Sequence, residues 1–154
     1  MKAALRVLVL SPFPYSPYDG QGAAVLCSAQ LSDLHLRHDV HVLVFSSPQQ
    51  SNAVEWMRQH AGRVETVPLP SRNIFHRLWA AASLQAGRQF QSRRFQDALQ
   101  AELATFKPDV VLIQFSSLAQ YVEFCKPTRT VLDSHDVHWV SNLRQSTLGG
   151  GGMR

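Results

Sequence analysis

Leu5-Arg-Val-Leu-Val-Leu10 followed by Ser11-Pro-Phe-Pro-Tyr-Ser-Pro-Tyr-Asp-Gly-Gln-Gly22 is the stretch that decides the fold. The first six residues are apolar except Arg6 and show no alternation, as expected of a parallel strand covered on both faces. Pro12, Pro14 and Pro17 cannot donate to a strand ladder, so the chain leaves the sheet in a Pro/Gly loop. An apolar-periodic helix then takes over from Ala23 to Arg37, with Ala24, Leu26 or Cys27, Leu31, Leu34 and Leu36 along its stripe. Strand, loop and helix in this order open a parallel β/α unit.

The same alternation continues outward. Val40–Phe45 reads as the second strand, ended by Ser46-Ser-Pro48, and Val64–Val67 as a shorter one stopped by Pro68 and Pro70. Helices are predicted over Asn73–Gln85 and Ser92–Phe106, the latter carrying Phe95, Leu99, Leu103 and Phe106 on one face. Pro108-Asp109 leads into the strand Val110–Ile113, and Ser116 or Ser117 can cap a helix running through Phe124. Thr130–Leu132 is the last strand. The pattern predicts an α/β fold, a doubly wound, Rossmann-like and mostly parallel sheet with helices on both faces. Residues 1–148 read as one domain and 149–154 as a Gly-rich tail or severed linker.

Composition narrows the function. Lys+Arg 15 against Asp+Glu 11 gives +4, too mild an excess to imply nucleic acid. The charge is unevenly spread: Thr66–Gln96 holds no acid but contains Arg72, Arg77, Arg88, Arg93 and Arg94. Cys27 and Cys125 lie far apart in apolar helical patterns and read as buried thiols of a reducing compartment. The first apolar run is short for a signal peptide and lacks a small-residue cleavage pattern. No stretch approaches the ~20 apolar residues of a membrane span. A cytoplasmic protein is expected.

Ligands of open α/β sheets bind outside the carboxyl ends of the strands. Two strand ends carry suitable chemistry. One is the glycine loop around Gly20 and Gly22; the other is Thr130-Val-Leu-Asp-Ser-His-Asp-Val-His-Trp139, where His135 and Asp136 follow the strand. Gly20 and Gly22 suit either a plain turn or a backbone approach to an anion. His135 is either a ligand contact or a histidine bonded to backbone. Asp136 orients His135, binds a hydroxyl, or caps the next helix. A metal reading of Asp133, His135, Asp136 and His138 fails: neighbouring positions at a strand end point different ways, and no further Cys/His cluster completes a set. A dinucleotide fingerprint fails as well, because Gly20-x-Gly22-x-x-Val25 lacks its third glycine and the second strand ends without an acid. His35, His38, His41, His60 and His76 show no partner pattern and read as surface or cap residues.

With these elements in place, the chain resembles the N-terminal domain of family 4-like glycosyltransferases of the GT-B fold. The resemblance rests on Val7–Pro14 running to Asp19-Gly-Gln-Gly22, on His38–Val44, and on Lys107–Ile113 followed by Val131–Asp136, and covers nearly the whole chain. It implies the acceptor-binding half of a retaining enzyme that moves a sugar from a nucleotide-sugar to a hydroxyl of a glycan or lipid. It also implies a C-terminal GT-B domain as partner, holding most of the donor site, and no cofactor. By motif, Gly20 and Gly22 would face the donor phosphates and His135, supported by Asp136, the donor sugar. Asp19, Gln114 and Ser116 would line the acceptor pocket. Gln21 separates the glycines where the family often has them adjacent, and Arg37 replaces a usual glycine.

Two further readings stand beside this one. Phe75, Arg77 and Trp79, in the acid-free stretch, suit either a peripheral contact with the inner face of an anionic membrane or a core-facing helix with a solvated basic face. The whole chain also suits a stand-alone Rossmann- or flavodoxin-like binding or regulatory module without catalysis.

Overall fold

The computed structural model describes residues 3–70 and 90–134. The expected helix Asn73–Gln85, the residues Phe75, Arg77 and Trp79, and everything from His135 onward, including Asp136 and the glycine tail, lie outside the described residues.

Five parallel strands form one sheet in the order β3-β2-β1-β4-β5. They are β1 (Arg6–Ser11), β2 (Asp39–Ser46), β3 (Arg63–Pro68), β4 (Val110–Gln114) and β5 (Arg129–Asp133). This is the Rossmann order, not the 2-1-3-4-5 order of flavodoxin, which removes the flavodoxin form of the alternative. The order reverses between β1 and β4, where Leu10 pairs with Ile113.

The continuous apolar strands do cover both faces. Val7 and Val9 of β1 join Val40, Val42 and Val44 of β2 under α1 (Gly22–His35) and α2 (Ser51–Gln59). Leu8 and Leu10 join Leu43, Phe45, Val111 and Ile113 under α3 (Arg93–Thr105) and the 3-10 helix Ser116–Cys125. One strand thus feeds two cores through the two-residue side-chain period.

Several local expectations are confirmed. The helix expected over Ser92–Phe106 is α3, and Ser92 proves to be its cap, the hydroxyl accepting from Phe95 N at 3.3 Å. Phe95 and Leu99 are buried, and Leu103 and Phe106 pack on the same cluster. Both cysteines are free and buried. Others are corrected. The α1 stripe leans on Ala24, Cys27, Ser28 and Leu31, while Leu26 and Leu36 are exposed. Neither Ser116 nor Ser117 caps the last helix: Phe115 turns the chain with φ 72°, leaving both serines inside a 3-10 segment. The helix α2, preceded by a 3-10 turn over Pro48–Gln50, was not foreseen; its Ala53, Val54 and Met57 are buried, and Trp56 packs against the same core.

Histidine 41 is no surface residue either. Its Nδ1 lies 2.9 Å from Glu102 Oε2 and its ring stacks on Phe106 at 3.6 Å. Glu102, almost fully buried, also meets Arg63 at 3.4 Å and so ties α3 to β2 and β3.

Candidate functional site

The carboxyl end of β1 leads into a loop held by local bonds. Ser11 Oγ donates to Phe13 O at 2.9 Å, and Ser16 N donates to Asp19 Oδ2 at 2.6 Å. Gly20 follows with φ 68°, a left-handed conformation that costs other residues ~1–2 kcal/mol. Gln21 is extended and Gly22 begins α1. No side chain caps this helix and its first turn holds no acid, while the Val25 N–H already bonds to Gln21 O. The N–H groups of the first turn therefore point out of the helix end, where the backbone dipole favours electronegative partners. A Cβ at Gly20 or Gly22 would meet nothing within 4 Å, so neither glycine is demanded by packing.

Beside this helix end lies a cleft of about 530 Å³. One wall is the β1–α1 loop, with Phe13, Asp19 and Gln21. The other is the segment after β2, with Gln49, Gln50 and Asn52. Gln50 Oε1 accepts from both Ser47 N and Ser47 Oγ at 3.0 Å, which fixes that wall.

Beneath the switch point two amides, one buried and one half-buried, form a chain. Gln114, at the end of β4 and 1% exposed, donates to Gln30 Oε1 at 2.8 Å. Gln30 Nε2 in turn donates to Asp133 Oδ2, at the end of β5, at 2.8 Å. The Tyr15 hydroxyl and Gln114 Oε1 are buried and make no well-formed hydrogen bond, although the Gln114 amide is near enough to influence the phenol. Burial holds the Tyr15 phenol far above its ordinary pKa, and Cys27 adds to this. Burial first, and the Asp133 carboxylate second, push the Cys27 thiol up to about 12.

The structure thus gathers Asp19, Gly20 and Gly22 on one loop, with Asp19 in the cleft wall. Gln114 sits under the site, not on its surface. Ser116 is exposed just past the end of β4, among the residues that follow Phe115. Tyr15, Gln30 and Asn52 were not singled out from sequence. Gln30 lies one turn past Cys27 on the buried side of α1, a spacing that could have marked it; nothing in the sequence marks Tyr15 within its proline-rich loop. Among the described residues no three His, Cys, Asp or Glu side chains gather to hold a metal. No described helix is long and apolar enough to cross a membrane.

Comparison with solved structures agrees with this architecture. The C-terminal domain of a hydrogenase from Pyrococcus furiosus matches with TM-score 0.55 and 16% identity, over 86% of this chain and 93% of that one. The glycotransferase of kitacinnamycin aligns with TM-score 0.47 and 16% identity, over 96% of this chain and 35% of that one. At 16% identity the first of these likenesses is one of fold alone. No protein-family model matches the sequence, and no curated protein sequence is significantly similar to it.

Proposed function

We propose that this chain is the N-terminal, acceptor-side half of a two-domain retaining glycosyltransferase that moves a sugar from a nucleotide-sugar to a hydroxyl acceptor. The observation that carries the reading is the uncapped, acid-free start of α1 at Gly22, in the loop Gly20-Gln-Gly22 that follows the carboxyl end of β1, beside the β1/β4 switch point. Such a helix start offers N–H groups to a diphosphate as negative charge builds on the leaving group. The Gly20–Gly22 loop, with open space at both glycines, leaves room for that approach. Asp19 and Ser116 then belong to the acceptor side, and Gln114 supports it from beneath. His135, with Asp136, takes the donor-sugar contact by motif. A second domain supplies the rest of the donor site, so transfer is a property of the pair.

The test is an amide-resolved NMR titration of the chain with uridine diphosphate glucose and with inorganic pyrophosphate. Both should shift the amides of Gly20, Gly22, Ala23 and Ala24, with millimolar affinity because most donor contacts belong to the other domain. Gly22→Pro keeps a residue tolerated at the first helical position but deletes its N–H donor. It should weaken pyrophosphate about fivefold. Ligands that leave these amides unmoved, or that move the opposite end of the sheet, would exclude the assignment.

One observation favours a stand-alone module. The strand order is that of the dinucleotide-binding sheet, whose switch point serves ligands in proteins of many activities. Micromolar nucleotide binding by the chain alone would favour that reading.

A further inference from the structure

We infer that the cleft between the β1–α1 loop and the start of α2 recognises an uncharged, polyhydroxylated ligand, so that the acceptor is a neutral glycan and not an anionic lipid headgroup. The inference deepens the proposed function and rests on it for the word acceptor; the chemistry rests on the cleft itself.

Four carboxamide residues line it, Gln21, Gln49, Gln50 and Asn52. Each carboxamide carries a carbonyl acceptor and an –NH2 donor, the pairing that two neighbouring hydroxyls satisfy together. Gln50 commits its Oε1 to Ser47, so the –NH2 is what it presents. Phe13 contributes apolar surface and is backed by Phe115, ring centroids 5.1 Å apart. That suits the C–H face of a sugar ring.

Charge decides between ligand classes. The single charged side chain among the described lining residues is Asp19, and no lysine or arginine accompanies it. Asp19 Oδ2 is held by Ser16 N, which fixes the carboxylate on the cleft wall. A phosphate or carboxylate seated against Asp19, away from the N–H groups of the α1 start, would meet a like charge with no side-chain cation in the lining, whereas a hydroxyl can donate to it. The volume of about 530 Å³ lies within the usual range for small-molecule sites.

The probes are methyl glucoside, methyl mannoside and methyl galactoside against glucose 6-phosphate and glycerol 3-phosphate. Each is titrated into the full chain while the side-chain –NH2 signals of Gln21, Gln49, Gln50 and Asn52 are followed. At least one neutral glycoside should shift these signals, and glucose 6-phosphate should bind several-fold more weakly at the same place. Gln49→Ala and Asn52→Ala, both at exposed positions, should each weaken the glycoside about fivefold, the loss of one hydrogen bond. Asp19→Asn keeps an oxygen for Ser16 N and should narrow the gap between the sugar and its phosphate.

The inference is overturned if no glycoside moves the four amides at concentrations up to about 100 mM, below which even millimolar sites saturate. It is overturned equally if glucose 6-phosphate or glycerol 3-phosphate binds there more tightly than the glycosides. The two readings fail separately. Uridine diphosphate glucose acting at Gly20–Ala24 without any glycoside response removes the acceptor class alone. A glycoside response without a nucleotide-sugar response removes the donor assignment and leaves a sugar-binding cleft.

Discussion

Gly20 and Gly22 stand two positions apart and are glycine for different reasons. Gly20 holds φ 68°, which only glycine adopts without strain; Gly22 is helical with open space where a Cβ would go. Gly20→Ala should therefore cost about 1 kcal/mol of stability, whereas Gly22→Ala should be neutral or gain up to about 1 kcal/mol through lower unfolded-chain entropy. Urea midpoints of the two variants check this, and equal losses would contradict it. Tyr15 gives a second contrast. Its hydroxyl is buried without a well-formed hydrogen bond, so Tyr15→Phe should hold stability or raise it by up to about 1 kcal/mol. A clear loss would show that the phenol is bonded in solution.

At the scale of elements, the parts that read correctly from sequence are those with unambiguous periodicity. β1 and β4 are near-continuous apolar runs, β2 is one broken by His41, and α3 carries its stripe at Phe95 and Leu99 behind a serine cap. The helix α2 is amphipathic, with Ala53, Val54 and Met57 buried, so its pattern was present in the sequence directly after the loop signal of Ser46-Ser-Pro48. The 3-10 helix after β4 looked like an α-helix because spacing alone does not show the positive φ of Phe115. The glycine loop at the end of β1 was legible as a location, whereas the cleft wall after β2 was not, nor were contacts: Gln30 reaches Gln114 and Asp133 only after the chain folds. The same holds for Glu102, which no local pattern pairs with His41 and Arg63. Glu102→Ala should cost about 1.5 kcal/mol, the loss of its bonds to a part-buried His41 and a half-exposed Arg63, and Glu102→Gln less. Thermal denaturation of both decides it; an alanine variant as stable as the parent would mean the cluster contributes nothing.

For the whole molecule, the central question is whether two cores built on one sheet melt together. Each face carries one reporter: Cys27, on α1, packs with Val7 and Val9, and Cys125 packs with Leu8 and Leu10 on the other side. Every central strand contributes to both cores, so loss of one face removes the support of the other, and all-or-none unfolding is expected. The variants Cys27→Ala and Cys125→Ala leave one thiol each. Iodoacetamide labelling at pH 8 should be slow for both native thiols and should give one and the same opening free energy. A thiol labelled at the unfolded rate, or two clearly different opening energies, would show that one face opens alone. The same thiols set an alkaline limit. Burial raises Cys27 from 9.0 to about 12 and Cys125 from 9.0 to about 11, the latter with a small opposing contribution from Thr130. Below the ordinary thiol value both states hold the proton and stability is unaffected. Above it the unfolded chain loses a proton that the native chain keeps, so unfolding becomes more favourable as pH rises towards the folded values. Urea midpoints measured from pH 8 to 10.5 should fall in the parent protein, and fall less steeply in each single-alanine variant.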